Sequence, residues 1–259
     1  MPYADLHVHT TRSDGALELE GVPAAARRAD VSVVALTDHE RLQPLERPVV
    51  ERDGVTLVHG IELRVAPDGG DRVDLLGYGV TPTAALEELV EGIQRNRRER
   101  GQEIVDRVEA HLGIDLGIDV TGGFGRPHVA RAIDAHPGAD YDYQGAFDHL
   151  IGADGPCYVP RRVPSFDRGR RVLGEACQIV SLAHPLRYRD PASALELVAD
   201  LDAVELHYPY GRPVDTAPVE RAIERHDVLV TGGSDAHDDR LGLAGLTETA
   251  FRALGLAVP

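Results

Sequence analysis

Lysine and tryptophan are absent from the 259-residue sequence, and methionine occurs once. All 27 basic side chains are therefore arginine, set against 43 aspartates and glutamates for a formal charge of −16. A surface this acidic repels anionic lipid and phosphate backbones, which argues against broad nonspecific binding to membranes or nucleic acid. Two explanations of the skew stand side by side: an acidic surface suited to a salt-rich cytoplasm, and a GC-rich coding bias. Cysteine is scarce as well. Cys157 and Cys177 form no C-x-x-C pattern, so two inert thiols are expected and no disulfide framework. Aromatic residues make up 5%, too few for a platform on which the bases of a long single strand would stack. No run reaches the roughly 18 apolar residues of a membrane span, and the start Met1-Pro2-Tyr3-Ala4-Asp5 has neither the basic nor the apolar region of a secretory leader. A cytoplasmic protein is expected.

The length suits one sizeable domain, or one barrel with a modest insertion. Seven short apolar or β-branched runs are present, at 3–7, 31–36, 55–61, 73–79, 178–183, 203–208 and 228–233. Between several of them lie Ala-, Glu- and Arg-rich stretches of helical periodicity, at 18–29, 191–200 and 215–226. This alternation predicts an α/β fold of strand-helix units around a mainly parallel sheet, closed or nearly closed into a barrel. The repeat breaks between 82 and 165, where a long polar helical pattern at 84–111 is followed by Gly125-Arg126-Pro127-His128 and shorter helical stretches. Residues 1–81 and 166–259 are thus expected to form the barrel, and 82–165 an inserted helical subdomain. Thr81, Pro82, Pro160 and Pro164 mark its edges, since proline is poorly tolerated inside helices.

Histidines and acids fall at the ends of nearly every predicted strand. They occur in Asp5-Leu6-His7-Val8-His9 with Asp14 beyond, in Thr37-Asp38-His39, His59-Gly60-Ile61-Glu62, Ala183-His184-Pro185, Glu205-Leu206-His207 and Gly233-Ser234-Asp235-Ala236-His237. The C-terminal strand ends of a parallel barrel share one face, so these groups should converge. Alternate residues of a strand point to the same side, which lets His7 and His9 grip one ion, and Asp235-x-His237 repeats the spacing. Imidazole with carboxylate suits zinc, manganese or iron, and Glu62 has two oxygens with which to bridge neighbouring ions. Taken singly, each residue has a plainer explanation: a buried histidine bonded to backbone, a turn at Asp14, a helix cap or imidazole-orienting partner at Asp38. Their number favours a multinuclear centre. For Asp38, His59, Glu205 and His207, direct ligation and a supporting role both remain open.

The segments D-L-H-V-H-T-T-R-S-D-G from Asp5, L-T-D-H from Leu36, G-I-E from Gly60, A-H-P from Ala183 and G-G-S-D-A-H from Gly232 closely resemble the PHP (polymerase and histidinol phosphatase) superfamily. That resemblance implies a distorted (β/α)7 TIM-like barrel with a trinuclear metal centre. It places His7, His9, Glu62 and Asp235 on a first ion, lets Glu62 bridge to a second ion that His184 also binds, and completes a third position with Asp14, His39 and His237. Relatives often carry a histidine where this sequence has Asp74; oxygen in place of nitrogen favours manganese or magnesium over zinc there. The phrases L-L-G-Y-G from Leu75, R-N-R-R-E-R from Arg95, G-R-P-H-V-A-R-A from Gly125 and A-F-D-H-L from Ala146 resemble, more narrowly, bacterial and archaeal phosphoesterases that act on nucleoside 3′,5′-bisphosphates or trim short 5′-phosphorylated RNA.

The expected chemistry is hydrolysis by a metal-bound water, with no protein nucleophile, in a centre of two or three divalent ions drawn from manganese, zinc, iron and magnesium. The expected substrate is a small phosphorylated nucleotide or a short oligonucleotide, with no membrane and no long duplex as partner. Arg126 and His128 are the candidates for gripping a phosphate, because guanidinium pairs with phosphate oxygens in a two-pronged manner; the alternative for Arg126 is an ion pair with one of the many acids. Arg95, Arg97, Arg98 and Arg100, with Arg161 and Arg162, either line an entry for a polyanion or form a solvated face paired with Glu99 and Glu103. Two other readings compete: a phosphatase of histidinol phosphate or another small molecule, and a non-catalytic metal-binding module. Near-complete retention of the ligand pattern opposes the second.

Overall fold

In a computed structural model describing residues 1–120 and 124–256, the predicted strands are present in the predicted order. They are β1 (Ala4–Val8), β2 (Val33–Leu36), β4 (Val55–Val65), β5 (Val73–Tyr78), β6 (Ile179–Leu182), β7 (Ala203–His207) and β8 (Leu229–Gly232), with one unforeseen strand, β3 (Val49–Arg52). The helices are α1 (Val22–Arg28), α2 (Ala84–Leu112), α3 (Arg126–Ala135), α4 (Tyr143–Ala146), which runs on into a π-helical turn at Phe147–Ile151, α5 (Phe166–Ala176), α6 (Pro191–Glu196), α7 (Ala217–His226) and α8 (Glu248–Ala253). No helix among the described residues is long and apolar enough to cross a membrane. The chain divides into two compact units, one of Met1–Val90 with Val163–Pro259 and one of Glu91–Arg162.

The first unit holds a single sheet in the order β1-β2-β4-β5-β6-β7-β8, with β3 paired to β4. The pairings β1/β2, β2/β4, β6/β7 and β7/β8 are parallel, as the strand-helix alternation predicts. In the middle the repeat gives way: β3/β4, β4/β5 and β5/β6 are antiparallel. The cause lies in the connections. β3 and β4 are joined by Asp53 and Gly54 alone, both at positive φ (50° and 75°), the two-residue hairpin geometry that Asp-Gly favours. β4 is long enough to pair with β2 through Thr56 to His59 and with β5 through Gly60 to Val65. The sheet curls, and the segment after β8 returns to the end of β1 at one parallel bridge, Val8 with Ala236, where the His9 N–H donates to the Ala236 carbonyl at 2.9 Å.

Both faces of the sheet are covered, so its strands read as continuous apolar runs. On β2, Val33 and Ala35 pack into one core with Leu6, Val58, Leu76, Tyr78, Ala203 and Phe251, while Val34 and Leu36 face the other way onto Val22, Ala25 and Ala26 of α1. The second unit has its own core, in which Ile104, Val105 and Val108 of α2 meet Val129, Ala130 and Ile133 of α3 and Leu150, Ile151 and Val159.

Candidate metal centre

Of the residues singled out from the sequence, the nine candidate ligands converge and His207 does not. His7 and His9 leave β1 fully buried, with ring centroids 5.2 Å apart. Two close backbone approaches set their place. A side chain at Gly233 would put its Cβ 2.3 Å from His7 N, and one at Gly15 would lie 2.4 Å from the His9 carbonyl, so only glycine fits either position. Buried Asp5 ties the closing loop to β1 by accepting from Ser234 N (2.8 Å), Ser234 Oγ (2.6 Å) and Gly242 N (2.8 Å). His184 and Asp235 both take positive φ (28° and 51°), a conformation uncommon outside glycine and concentrated at functional sites.

Glu62, buried on β4, is the shared member. Its Oε2 lies 2.8 Å from His39 Nδ1, 3.5 Å from His9 Nε2 and 3.6 Å from His7 Nε2, and its Oε1 lies 3.2 Å from His184 Nε2. Asp235 Oδ1 faces His9 Nε2 at 3.1 Å and His7 Nε2 at 3.4 Å. Asp14 stands 3.6 Å from His39 and 3.5 Å from His237. Donor atoms within 4.8 Å of one another form four overlapping groups: His9, Asp14, His39 and His237; His7, His9 and Glu62; His7, His184 and Asp235; and Glu62, Asp74 and His184. One end is sealed and the other open. His7, His9 and Glu62 are at most 1% exposed, whereas the side chains of His237 and Asp14 are 42% and 54% exposed.

These residues fit divalent ions. His7 Nε2, both ring nitrogens of His9, Glu62 Oε2 and His184 Nδ1 are buried without a hydrogen bond. Polar atoms left so cost free energy unless something else engages them, and imidazole nitrogens beside carboxylates are the donor set that transition metals select. Charge points the same way. Burial alone would lower the imidazoles of His7 and His39, but the Glu205 and Glu62 carboxylates outweigh it and hold His7 well above the usual range, and Glu62 with Asp14 holds His39 at about 9. Burial would raise Glu62, Asp14 and Asp235, yet the surrounding histidines keep all three ionised below the usual carboxylate range. Carboxylates that draw protons so strongly onto His7 and His39 also attract a cation that competes for the same nitrogens, while burial keeps His9 below its ordinary range.

Of the residues of open role, Glu205, Asp38 and His59 hold others in place. Glu205, fully buried, lies 3.0 Å from His7 Nδ1 and accepts from the His184 N–H at 2.7 Å, orienting one ring and one strand end. Asp38 accepts from Thr10 N and Oγ1, Ser13 Oγ and Gln43 Nε2 at 2.6 to 2.8 Å, fixing the loop that carries Asp14. His59 Nε2 accepts from Gln43 N at 2.9 Å, and burial with the nearby Arg12 charge pushes its ring down to about 4. His207 points to solvent. Three residues escaped the sequence reading. Arg187, three positions past His184, donates to Asp235 Oδ2 at 2.9 Å and to the Tyr208 hydroxyl, which itself donates to Asp235 Oδ2 at 2.7 Å. Arg64 grips Asp74 with two nitrogens. The signal for Arg64 was strand alternation, which sets it on the face of Glu62; for Arg187 it was only a cation next to a strand-end histidine.

Arg126 and His128 lie in the second unit. The Arg126 guanidinium is 5.7 Å from the Phe147 and Tyr158 ring centroids and donates to the Ile151 carbonyl at 3.2 Å, contacts that pack the unit itself. The His128 ring stacks on Phe124 and its Nδ1 accepts from Gly125 N at the start of α3. In the arginine run, Arg95 reaches Glu91 at 3.9 Å and Arg100 donates to the Val159 carbonyl at 2.7 Å, while Glu103 pairs with Arg107.

The chain is 30% identical to the phosphoribosyl 1,2-cyclic phosphate 1,2-diphosphodiesterase of Eggerthella lenta, over 90% of this chain and 93% of that protein. It is 28% identical to the 3′,5′-nucleoside bisphosphate phosphatase of Chromobacterium violaceum, over 92% and 88%. Among solved structures, an amidohydrolase from Chromobacterium violaceum superposes with a TM-score of 0.72 at 23% identity, over 98% of this chain and 96% of that one, a likeness of fold. The PHP domain profile matches residues 5–151, more than half the chain, and with a centre of histidines and carboxylates fit for divalent ions this protein belongs to the PHP domain family of phosphoesterases.

Proposed function

We propose that the protein hydrolyses phosphate esters of small nucleotides, nucleoside 3′,5′-bisphosphates or short 5′-phosphorylated oligoribonucleotides, in a distorted (β/α)7 TIM-like barrel that carries 82–165 as an inserted helical subdomain. The observation that carries this reading is the convergence of His7, His9, Asp14, His39, Glu62, Asp74, His184, Asp235 and His237 with their buried, unbonded nitrogens. Two or three divalent ions, when bound, supply Lewis acidity to the phosphoryl oxygens and acidify the attacking water. His7, His9, Glu62 and Asp235 would hold the first, and Asp14, His39 and His237 the one nearest solvent. The chain itself contributes orientation. Glu205 fixes the His7 tautomer by taking its Nδ1 proton in a hydrogen bond, which leaves Nε2 free as a donor atom. Among the described residues, the hydroxyls of Thr10 and Ser13 donate to Asp38, that of Ser234 to Asp5 and that of Tyr208 to Asp235, which favours attack by water over a protein nucleophile. Arg187, half exposed beside Asp235, is set to take a phosphoryl oxygen, and Arg126 and His128 remain candidates for a second phosphate.

The names of the two relatives given above share a feature: a ribose that carries phosphate at more than one position. That favours a phosphorylated ribose, the nucleotides above included, over histidinol phosphate. The test is phosphate release, with manganese added, from adenosine 3′,5′-bisphosphate, a short 5′-phosphorylated RNA and histidinol phosphate. One of the first two should exceed the third in kcat/KM by at least about tenfold, the discrimination that ~1.4 kcal/mol of differential binding gives. Preference for histidinol phosphate would replace the nucleotide reading with the small-molecule one, and no turnover of any would favour a non-catalytic module.

A further inference from the structure

The group formed by Glu62, Asp74 and His184 differs from the other three in that a protein cation already engages both oxygens of its carboxylate, whereas Arg187 reaches only Oδ2 of Asp235 and leaves Oδ1 to face His7 and His9. Arg64 and Asp74 are directly opposed across the antiparallel β4/β5 ladder, so their side chains rise from the same face as neighbours. The guanidinium meets the carboxylate fork to fork, Nε to Oδ1 at 2.7 Å and Nη2 to Oδ2 at 2.5 Å, the arrangement in which arginine binds carboxylates most strongly. Asp74 is 1% exposed, and its backbone is held too: its N–H donates to the Tyr188 hydroxyl at 2.8 Å, which donates to the Ala183 carbonyl at 3.0 Å.

We propose that Arg64 takes the place of one divalent ion, so that this chain binds two ions, on His7, His9, Glu62 and Asp235 and on Asp14, His39 and His237, and none at Glu62, Asp74 and His184. The inference rests on the metal-centre reading above and concerns how many ions that centre holds. With both oxygens of Asp74 engaged by the guanidinium, the position keeps, among the described residues, two further donors, Glu62 Oε1 and His184 Nε2, which are hydrogen-bonded to each other at 3.2 Å. Two protein donors are fewer than the three or four with which transition-metal sites are built. An ion at the usual ~2.1 Å from Asp74 Oδ2 would also lie within about 4.6 Å of Arg64 Nη2, like charge against like. The site therefore has a fixed monovalent charge on the spot where an exchangeable divalent one would sit. Asp74 is thereby removed from the ligand set that the sequence resemblance implies.

Metal counting tests this without reference to turnover. The full-length protein is reconstituted with manganese and separately with zinc, freed of unbound ion by gel filtration and measured by plasma mass spectrometry, alongside Arg64→Ala and Asp74→Asn. Anomalous diffraction from manganese-loaded crystals gives the positions. Two ions per chain in the wild type, three in Arg64→Ala with the new peak among Glu62, Asp74 and His184, and two in Asp74→Asn are the expected results. Three ions in the wild type, or two with one of them at that position, would overturn the proposal, as would an Arg64→Ala count that stays at two or an Asp74→Asn count that falls to one. If Arg64→Ala fails to fold, the wild-type anomalous map and the Asp74→Asn count still decide. A wild type that binds no ion at all would instead sink the metal-centre reading itself.

Discussion

At the scale of single residues, the centre is a set of donors held by a surrounding layer of acids, and the two kinds of residue should respond differently to substitution. Glu205 touches His7 Nδ1 and the His184 N–H from full burial. Glu205→Gln keeps the shape but weakens both contacts, so manganese affinity should fall about 10- to 100-fold while far-UV circular dichroism is unchanged; unaltered affinity in a chelator competition would mean that Glu205 does not orient the ligands. Protons compete with metal at His39, which titrates at about 9 in the metal-free protein because Glu62 and Asp14 outweigh its burial. Below that pH an ion must displace a proton, so apparent affinity should rise from pH 7 to pH 9 by up to about tenfold per unit for this one group, and then level off. An affinity flat over that range would contradict the assigned role. Eight of the nine ligand candidates were legible in the sequence because each lies in a short motif at or just past a predicted strand end; Asp74, at the start of β5, was named only through the family resemblance. Arg64 and Arg187 were not legible, since an arginine in so acidic a chain reads as one more surface pair until β4 and β5 are laid side by side.

At the scale of elements, strand ends position the chemistry, and the close approaches between them have no slack. Gly233 sits where a Cβ would be 2.3 Å from His7 N. Gly233→Ala should therefore push the β8 loop off β1 and cost at least about 2 kcal/mol, a fall in Tm of several degrees, with loss of metal affinity in the same variant. A Tm within one degree of wild type would show that the loop accommodates a methyl group. The sequence pattern yields the seven main strands and the long helix, because apolar runs and helical periodicity survive whatever the pairing. It missed β3, whose alternation is half polar, although the following Asp53-Gly54 was a hairpin signal in plain view. The reversal at β4/β5 was also readable in principle. Residues 66–72 are too few for the crossover that parallel strands need, but the end of β4 at Val65 shows only in the structure.

At the scale of the whole molecule, 43 acidic against 27 basic side chains leave a net repulsion that ions in solution screen. Raising the salt from 0.1 M to 1 M shortens the Debye length from about 10 Å to about 3 Å, so Tm should climb with potassium chloride over that range; a flat or falling Tm would mean the acids are already neutralised by their arginine partners. The family and the candidate donors are legible in motifs spread along the chain, whereas Arg187, proposed above to take a phosphoryl oxygen, comes beside Asp235 only on folding. The central claim is that Glu62 organises a metal centre that hydrolyses phosphate esters. Its most direct test is phosphate release from adenosine 3′,5′-bisphosphate by chelator-stripped protein before and after manganese is restored, with Glu62→Ala beside the wild type. The account predicts turnover that appears only with manganese and is at least about a hundredfold lower in Glu62→Ala, beyond what loss of an orienting partner alone costs. Turnover that persists in stripped protein, or that survives Glu62→Ala, would contradict it.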